Sequence, residues 1–184
     1  MGRLPDKLRA DLAPEHQDLL KRDIALYRQL AHSPNALRAF QGLGYYIRHN
    51  SRLDPRLREL AILQVGWLAR SPYEWSHHIK ISYDFGVKDG DIAGLIADTA
   101  GEASALEPQA KLVLRAAREI TLDQKATDAT FAALGGFLDR EQLVDLVLTI
   151  SFYSAVVRVL ATFEIMVEPD YMPYLEKYPL PEDK

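Results

Sequence analysis

Four times before the C-terminal tail a polar residue is followed at once by proline, at Ser33-Pro34, Asp54-Pro55, Ser71-Pro72 and Glu107-Pro108. Each pair is a helix start: the side chain caps free amides, and proline, which has no N–H to leave unsatisfied, takes the first helical position. Between these starts the apolar residues recur at helical spacing. Leu19, Leu20, Ile24, Tyr27 and Leu30 form one stripe, and Leu37, Phe40, Leu43 and Ile47 form another. Runs alternating at period two, which strands need, are nearly absent. The chain therefore reads as an all-α helical bundle with short connections, in a single domain over residues 1–184.

The expected helices follow in order. One opens at Pro14 and runs to about His32; the next runs from Ser33-Pro34 to near Asn50. The third starts at Asp54-Pro55 and is apolar from 60 to 69 except for Gln64, the mark of a buried central helix. The fourth starts at Ser71-Pro72 and stops at Gly86. A short helix covers about Asp89 to Asp98, a longer one begins at Glu107-Pro108, and a further short one spans Asp128 to Leu134. Asp139-Arg140-Glu141-Gln142 is a capping box opening a long apolar helix to about Glu164. The tail from about 167 to 184 holds four prolines and three tyrosines, and reads as an extended arm suited to packing on a neighbouring subunit.

Composition narrows the function. With 48% hydrophobic and 26% charged residues this is an ordinary soluble globular chain, and a net charge of −4 argues against a nucleic-acid partner. The chain has no cysteine, which removes disulfides, thiolate metal sites and dithiol redox chemistry. The N-terminus lacks the apolar run of a secretory signal, and the charge-free stretch Leu146 to Val157 is too short for a bilayer, so a cytoplasmic protein with no membrane partner is expected. No serine nucleophile elbow or phosphate-binding glycine loop appears, and no cofactor is expected.

Chemistry concentrates between residues 58 and 78. Glu74 and His78 stand four apart on one face of the fourth helix, and Glu59 lies on the helix before it. If the two helices pack together, two carboxylates and an imidazole converge on an acid/base site. Each residue also has a plainer reading. Glu74 occupies the third position after Ser71, where a capping box puts a glutamate. Glu59 is three residues from Arg56, as in a surface ion pair. His77 faces about a hundred degrees from His78, as a surface or interface histidine, and Trp75 and Tyr153 suit core or interface positions. Two carboxylates and a histidine also suit a metal, but no repeated E-x-x-H motif accompanies them, and no metal is expected.

R-E-L-A-I-L, then Y-E-W-x-x-H, then the turn G-V-x-x-x-x-I resemble the carboxymuconolactone decarboxylase family, whose superfamily includes the AhpD-type alkylhydroperoxidases. The resemblance is good over about Ser33 to Ala97, with a family core at about 33–120. It implies the AhpD-like helical bundle and a homo-oligomer, trimer or hexamer, acting on a small-molecule substrate. The peroxidase branch uses a glutamate, a C-x-x-C pair and a histidine four residues after the second cysteine. By position these fall on Glu59, Ser71, Glu74 and His78, so both redox sulfurs are missing and that peroxidase chemistry is refused. The decarboxylase branch implies a lyase or isomerase acting on an activated carboxylate or lactone in aromatic-compound breakdown. His78 is then the proton donor, oriented by Glu74 or Glu59. An arginine (Arg52, Arg56 or Arg70) holds a substrate carboxylate, and the wall from Leu63 to Trp67 with Trp75 excludes water. Ser71, Trp75, His77 and Arg56 complete the substrate-binding candidates. A non-catalytic oligomeric binding or scaffold protein of the same fold is the alternative, and a thiol-free oxidoreductase relative stands third.

Overall fold

The computed structural model describes residues 2–181, and among these there is no β-strand. The described residues form nine α-helices: α1 (Ala25–Leu30), α2 (Pro34–Tyr45), α3 (Pro55–Leu68), α4 (Pro72–Asp84), α5 (Asp89–Thr99), α6 (Pro108–Asp123), α7 (Asp128–Leu134), α8 (Arg140–Thr162) and α9 (Met172–Lys177). All four polar-proline pairs start helices, with Asp54 and Ser71 capping through their side chains and Ser33 and Glu107 not. Asp54 accepts the Leu57 N–H at 2.9 Å, and at α8 Asp139 and Gln142 exchange the two reciprocal capping-box bonds at 2.8 and 2.9 Å.

The centre is α3. Residues 57–66 are all buried, and the helix packs against α4, α6 and α8. Its cover comes from within the chain, so its apolar surface makes no demand for a partner. The α3–α4 connection is three residues long. The Ser71 N–H bonds back to the Gly66 carbonyl at 3.0 Å and the Arg70 N–H to that of Trp67 at 3.1 Å, which is a Schellman stop. Arg70 takes the left-handed position (φ 47°) that glycine usually fills. Gly66 lets the two helices approach closely: a Cβ there would lie 3.3 Å from the Trp75 nitrogen and 3.5 Å from the Glu74 Cγ. Gly86 (φ 90°) closes α4 as expected.

Three expectations need correction. The helix from Pro14 to His32 is two pieces, a 3-10 stretch Pro14–Leu20 and α1, separated by an extended Ile24. The restart has a tertiary cause. Glu168 Oε1 accepts the Ala25 N–H at 2.7 Å and the Tyr73 hydroxyl accepts the Leu26 N–H at 3.3 Å, so two amides are satisfied without a preceding turn. The tail is not an extended arm. Through residue 181 it forms a 3-10 turn, Pro169–Tyr171, and then α9, which folds back on the chain's own α4. There the Tyr178 carbonyl accepts the Trp75 indole N–H at 2.8 Å; residues 182–184 of the expected arm lie outside the described residues. Finally, the charge-free run understates α8. Among the described residues, Arg140–Thr162 is long and apolar enough to cross a membrane by length and composition, with half of its most apolar 18-residue stretch buried within the chain.

Glu168 joins the tail to α1 and α4. Burial would raise its pKa, but the His77 contact and the Ala25 N–H outweigh it and hold the carboxyl at about 2. A depressed folded-state pKa stabilises above the unfolded value and is lost as pH falls through the folded one. The wild type is therefore expected to lose more stability between about pH 4.5 and about pH 2 than Glu168→Gln does. Melting temperatures across that range test this; parallel curves would remove Glu168 as the acid-sensitive latch.

Candidate functional site

The α3–α4 packing places Glu59 and His78 in contact. His78 Nδ1 lies 2.8 Å from Glu59 Oε2, and both groups are buried, with 0% of Glu59 and 5% of His78 exposed. The other ring nitrogen, Nε2, is 3.1 Å from Glu74 Oε1, a close contact without good hydrogen-bond alignment. Glu74 is 3% exposed. One imidazole thus stands between two buried carboxylates. Arg58, itself 1% exposed, compensates by approaching Glu59 Oε1 from Nη2 at 3.2 Å, while its guanidinium lies over the Phe85 ring at 4.4 Å. The Tyr153 ring meets His78 edge-on at 4.9 Å.

The expected capping box at Glu74 is half present. Ser71 Oγ accepts the Glu74 N–H at 3.4 Å, but the Glu74 carboxylate turns inward to His78, and the Ser71 N–H is already bonded to Gly66. Burial pushes the Glu74 carboxyl above its usual range and Glu59 adds to this, with His78 and Arg48 opposing. The expected pairing of Glu59 with Arg56 is absent. Arg56 instead forks onto Asp91 and Glu107, its nearest approaches being 2.5 and 2.7 Å, away from the site.

A cavity of about 40 Å³ opens beside the triad. Glu74, His77 and His78 line it, with Arg48, Tyr27, Phe40, Phe152 and Tyr153 among the walls. Of the four substrate-binding candidates, only His77 reaches it. Ser71 lines a separate groove with Arg70 and Pro72. Trp75 is buried in the core against Trp67, 5.0 Å between ring centroids, and ties down the tail. Arg56 is engaged elsewhere. The water-excluding wall is thus built from α1, α2 and α8 rather than from Leu63 to Trp67.

His77 is neither a surface nor an open interface residue. Its ring stacks between Tyr73 and Tyr171 at 3.8 and 3.5 Å, Nδ1 is 2.8 Å from the Tyr73 carbonyl, and Nε2 is 3.0 Å from Glu168 Oε2. Burial pushes its pKa down against the pull of Glu168. That makes it a structural clasp whose edge faces the cavity.

Sequence reasoning missed Arg48, Arg58 and the cavity role of Tyr153. Arg58 carried a signal, because it adjoins Glu59 in an otherwise apolar helix; Arg48 carried none. As for metals, Glu59 and Glu74 address opposite nitrogens of one ring, and no group of three ligating side chains converges among the described residues. The arrangement can hold a proton, pass it along the imidazole and present it at the cavity edge through Glu74.

Fold and site together define a cysteine-free protein of the AhpD-like all-α class. Residues 34–119 match the carboxymuconolactone decarboxylase family, so the segment holding Glu59, Glu74 and His78 is a carboxymuconolactone decarboxylase family segment. The fold is shared with a peroxidase-related protein with an alkylhydroperoxidase AhpD core from Ralstonia eutropha JMP134, at 17% identity and a TM-score of 0.77 over 95% of each chain. It is shared with the debrominase Bmp8 in complex with 2,3,4-tribromopyrrole, at 16% identity and a TM-score of 0.78 over 94% of this chain and 95% of that one. A peroxidase-related protein from Silicibacter sp. TM1040 matches at 16% identity and a TM-score of 0.72, covering 92% and 93%. No curated protein sequence matches the chain.

A buried acid with a raised pKa favours its neutral form, so at neutral pH the ionised Glu74 opposes folding, and the penalty grows as pH rises above the unfolded value. Glu74→Gln is neutral at every pH and keeps the backbone N–H that Ser71 caps. It is expected to gain stability relative to wild type between pH 4.5 and 7.5, measured by urea denaturation at both. A loss that deepens with pH would mean that the carboxylate is needed as an anion for folding.

Proposed function

We propose that this protein is a carbon–carbon lyase of the decarboxylase type, acting by acid/base chemistry on an activated carboxylate or lactone in aromatic-compound breakdown. The observation that carries the reading is the buried Glu59–His78–Glu74 array at the edge of a cavity. A scaffold protein has no need to bury two carboxylates around one imidazole, an arrangement that costs desolvation free energy.

In the proposed reaction the C–C bond to the substrate carboxylate breaks and CO₂ leaves. The electron pair passes into a conjugated carbonyl as an enolate, and a proton then adds to carbon. Glu74 is the group placed to give that proton, since burial favours its protonated form and it lines the cavity. His78 reloads Glu74 through Nε2, and Glu59, held by Arg58, fixes the ring through Nδ1. This moves the donor role expected for His78 one residue outward. The same array without sulfur reduces no peroxide, because a carboxylate at position 74 has no two-electron oxidised form to cycle through.

The test is turnover of carboxymuconolactone, followed as CO₂ release. His78→Gln and Glu74→Gln are each expected to lower turnover by about a hundredfold or more, the scale of a general acid/base group, with the fold retained. Full activity in Glu74→Gln would withdraw Glu74 as donor, and absence of turnover by the wild type on this and related lactones would favour the binding-protein reading.

The assembly is proposed as a homo-oligomer, trimer or hexamer, through the outer faces of α7 and α8. There Val144 of α8 is 64% exposed and Phe131 of α7 52%, beside an apolar groove of about 720 Å³ that Leu143, Val147 and Leu148 also line. Exposed apolar surface of this kind marks a contact face. Light scattering is expected to give a multiple of the 20.8 kDa chain, reduced by Val144→Asp. A monomer mass for the wild type at micromolar concentration would count decisively against it.

A further inference from the structure

We infer that Arg48 is the anion-binding group of the cavity and that it receives the carboxylate of a small, otherwise apolar substrate. The inference deepens the lyase reading and rests on it for the word substrate; the binding itself does not depend on turnover.

Arg48 sits in a π-helical turn, Tyr46–Asn50, that continues α2. Such turns displace one residue from regular helical register and recur at functional sites. This one is fixed from outside. The Ser51 N–H bonds the Tyr46 carbonyl at 2.9 Å, and the buried Asp145 of α8 accepts the Tyr46 hydroxyl at 2.9 Å, the Ser51 hydroxyl at 2.6 Å and the Arg52 N–H at 3.1 Å. Four bonds therefore hold the turn that carries Arg48, and Arg48 lines the same cavity as Glu74 and His78.

The guanidinium is incompletely satisfied. Its Nε is buried with no hydrogen-bond partner, and among the described residues no carboxylate pairs with it. Tyr27 and Tyr153 line the cavity with it, and Glu59 and Glu74 act on it through charge. Every other arginine considered for the substrate is occupied: Arg56 by Asp91 and Glu107, Arg52 by Glu141, and Arg70 lies on another groove. A part-buried cation with an unpaired N–H, on a residue that lines a cavity, is matched by a planar oxyanion, which guanidinium holds through paired donors.

Size and lining refine the ligand. About 40 Å³ holds roughly three water-sized spheres, room for a carboxylate and the carbon that bears it but not for a ring. Leu26, Phe40, Phe152 and Val156 supply apolar walls, against which the rest of the molecule would lie. The anionic head enters first, Arg48 takes it, and Glu74 is left beside the adjacent carbon.

The test uses acetate as the probe and acetamide as its neutral isostere, titrated at constant ionic strength while the histidine ring signals are followed by NMR. Wild type is expected to show saturable shifts with acetate in the millimolar range and none with acetamide. Arg48→Gln should weaken acetate binding by about tenfold or more, the scale of a hydrogen bond to a charged group. Arg48→Lys keeps the charge but not the planar fork; it should bind acetate more weakly than wild type and remains informative if the glutamine variant does not fold. Equal binding of acetate and acetamide, unchanged acetate affinity in both variants, or no binding by wild type would each overturn the inference. Acetate binding that depends on Arg48 in an enzyme without lyase turnover would sink the proposed reaction alone. Turnover with acetate affinity and KM unaffected in the Arg48 variants would sink this inference alone.

Discussion

The contact on which the rest depends is the 2.8 Å approach of His78 Nδ1 to Glu59 Oε2, in a place where Glu59 has no exposed surface. A carboxylate in that position is tolerable only with a cation or N–H donor on each oxygen. His78 supplies one and Arg58 the other, and Arg58 in turn needs the Phe85 face and its own burial to stay in place. These requirements fix the rotation of α4 relative to α3. Once that rotation is set, Glu74 must point inward too, since it lies one turn before His78 on the same face. The second carboxylate is therefore a consequence of the first, and its desolvation is the strain that the site carries.

The same face of α4 explains the tail. His77 and Trp75 flank the array on either side, and neither tolerates open solvent in its present setting. Tyr171 stacks on His77, Glu168 meets its Nε2, and the Tyr178 carbonyl takes the Trp75 N–H. The last turn and helix thus close the outer side of α4 while α3 closes the inner side. Apolar surface is left uncovered on α8, which elsewhere turns Tyr153 toward His78 and Asp145 toward the turn that carries Arg48.

How much of this the sequence disclosed follows from the range of the interactions. The starts of α2, α3, α4, α6 and α8 were legible because a first-position proline or a capping side chain acts within a turn, and so was the Glu74–His78 pair, spaced one turn apart. Glu59 was placed by its apolar surroundings and by the family resemblance, which the match over residues 34–119 shows. What was not legible is long-range. Glu74 satisfies the capping-box pattern, and only the close α3–α4 approach at Gly66 and the Ser71–Gly66 bond divert it to His78. The break before α1 depends on Glu168, 143 residues away along the chain. Arg48 depends on a turn held by Asp145, again far off in sequence, so no local pattern singles it out.

A carboxylate rather than a sulfur at position 74 limits what the array can exchange. A thiolate beside His78 would hold a pair of electrons able to attack an oxygen or close a disulfide; a carboxylate holds only a proton that it can give or take. For that proton to be available near neutral pH the carboxyl must resist ionisation, and burial together with Glu59 acts in that direction. Arg48 and His78 act in the other, and a substrate anion seated on Arg48 would cancel part of that opposition. Binding of an anionic substrate would then itself raise the proton affinity of Glu74, loading the acid in the occupied site and leaving it easier to ionise in the empty one. In the proposed reaction the charge of the substrate and the protonation of the acid are thus coupled through one guanidinium.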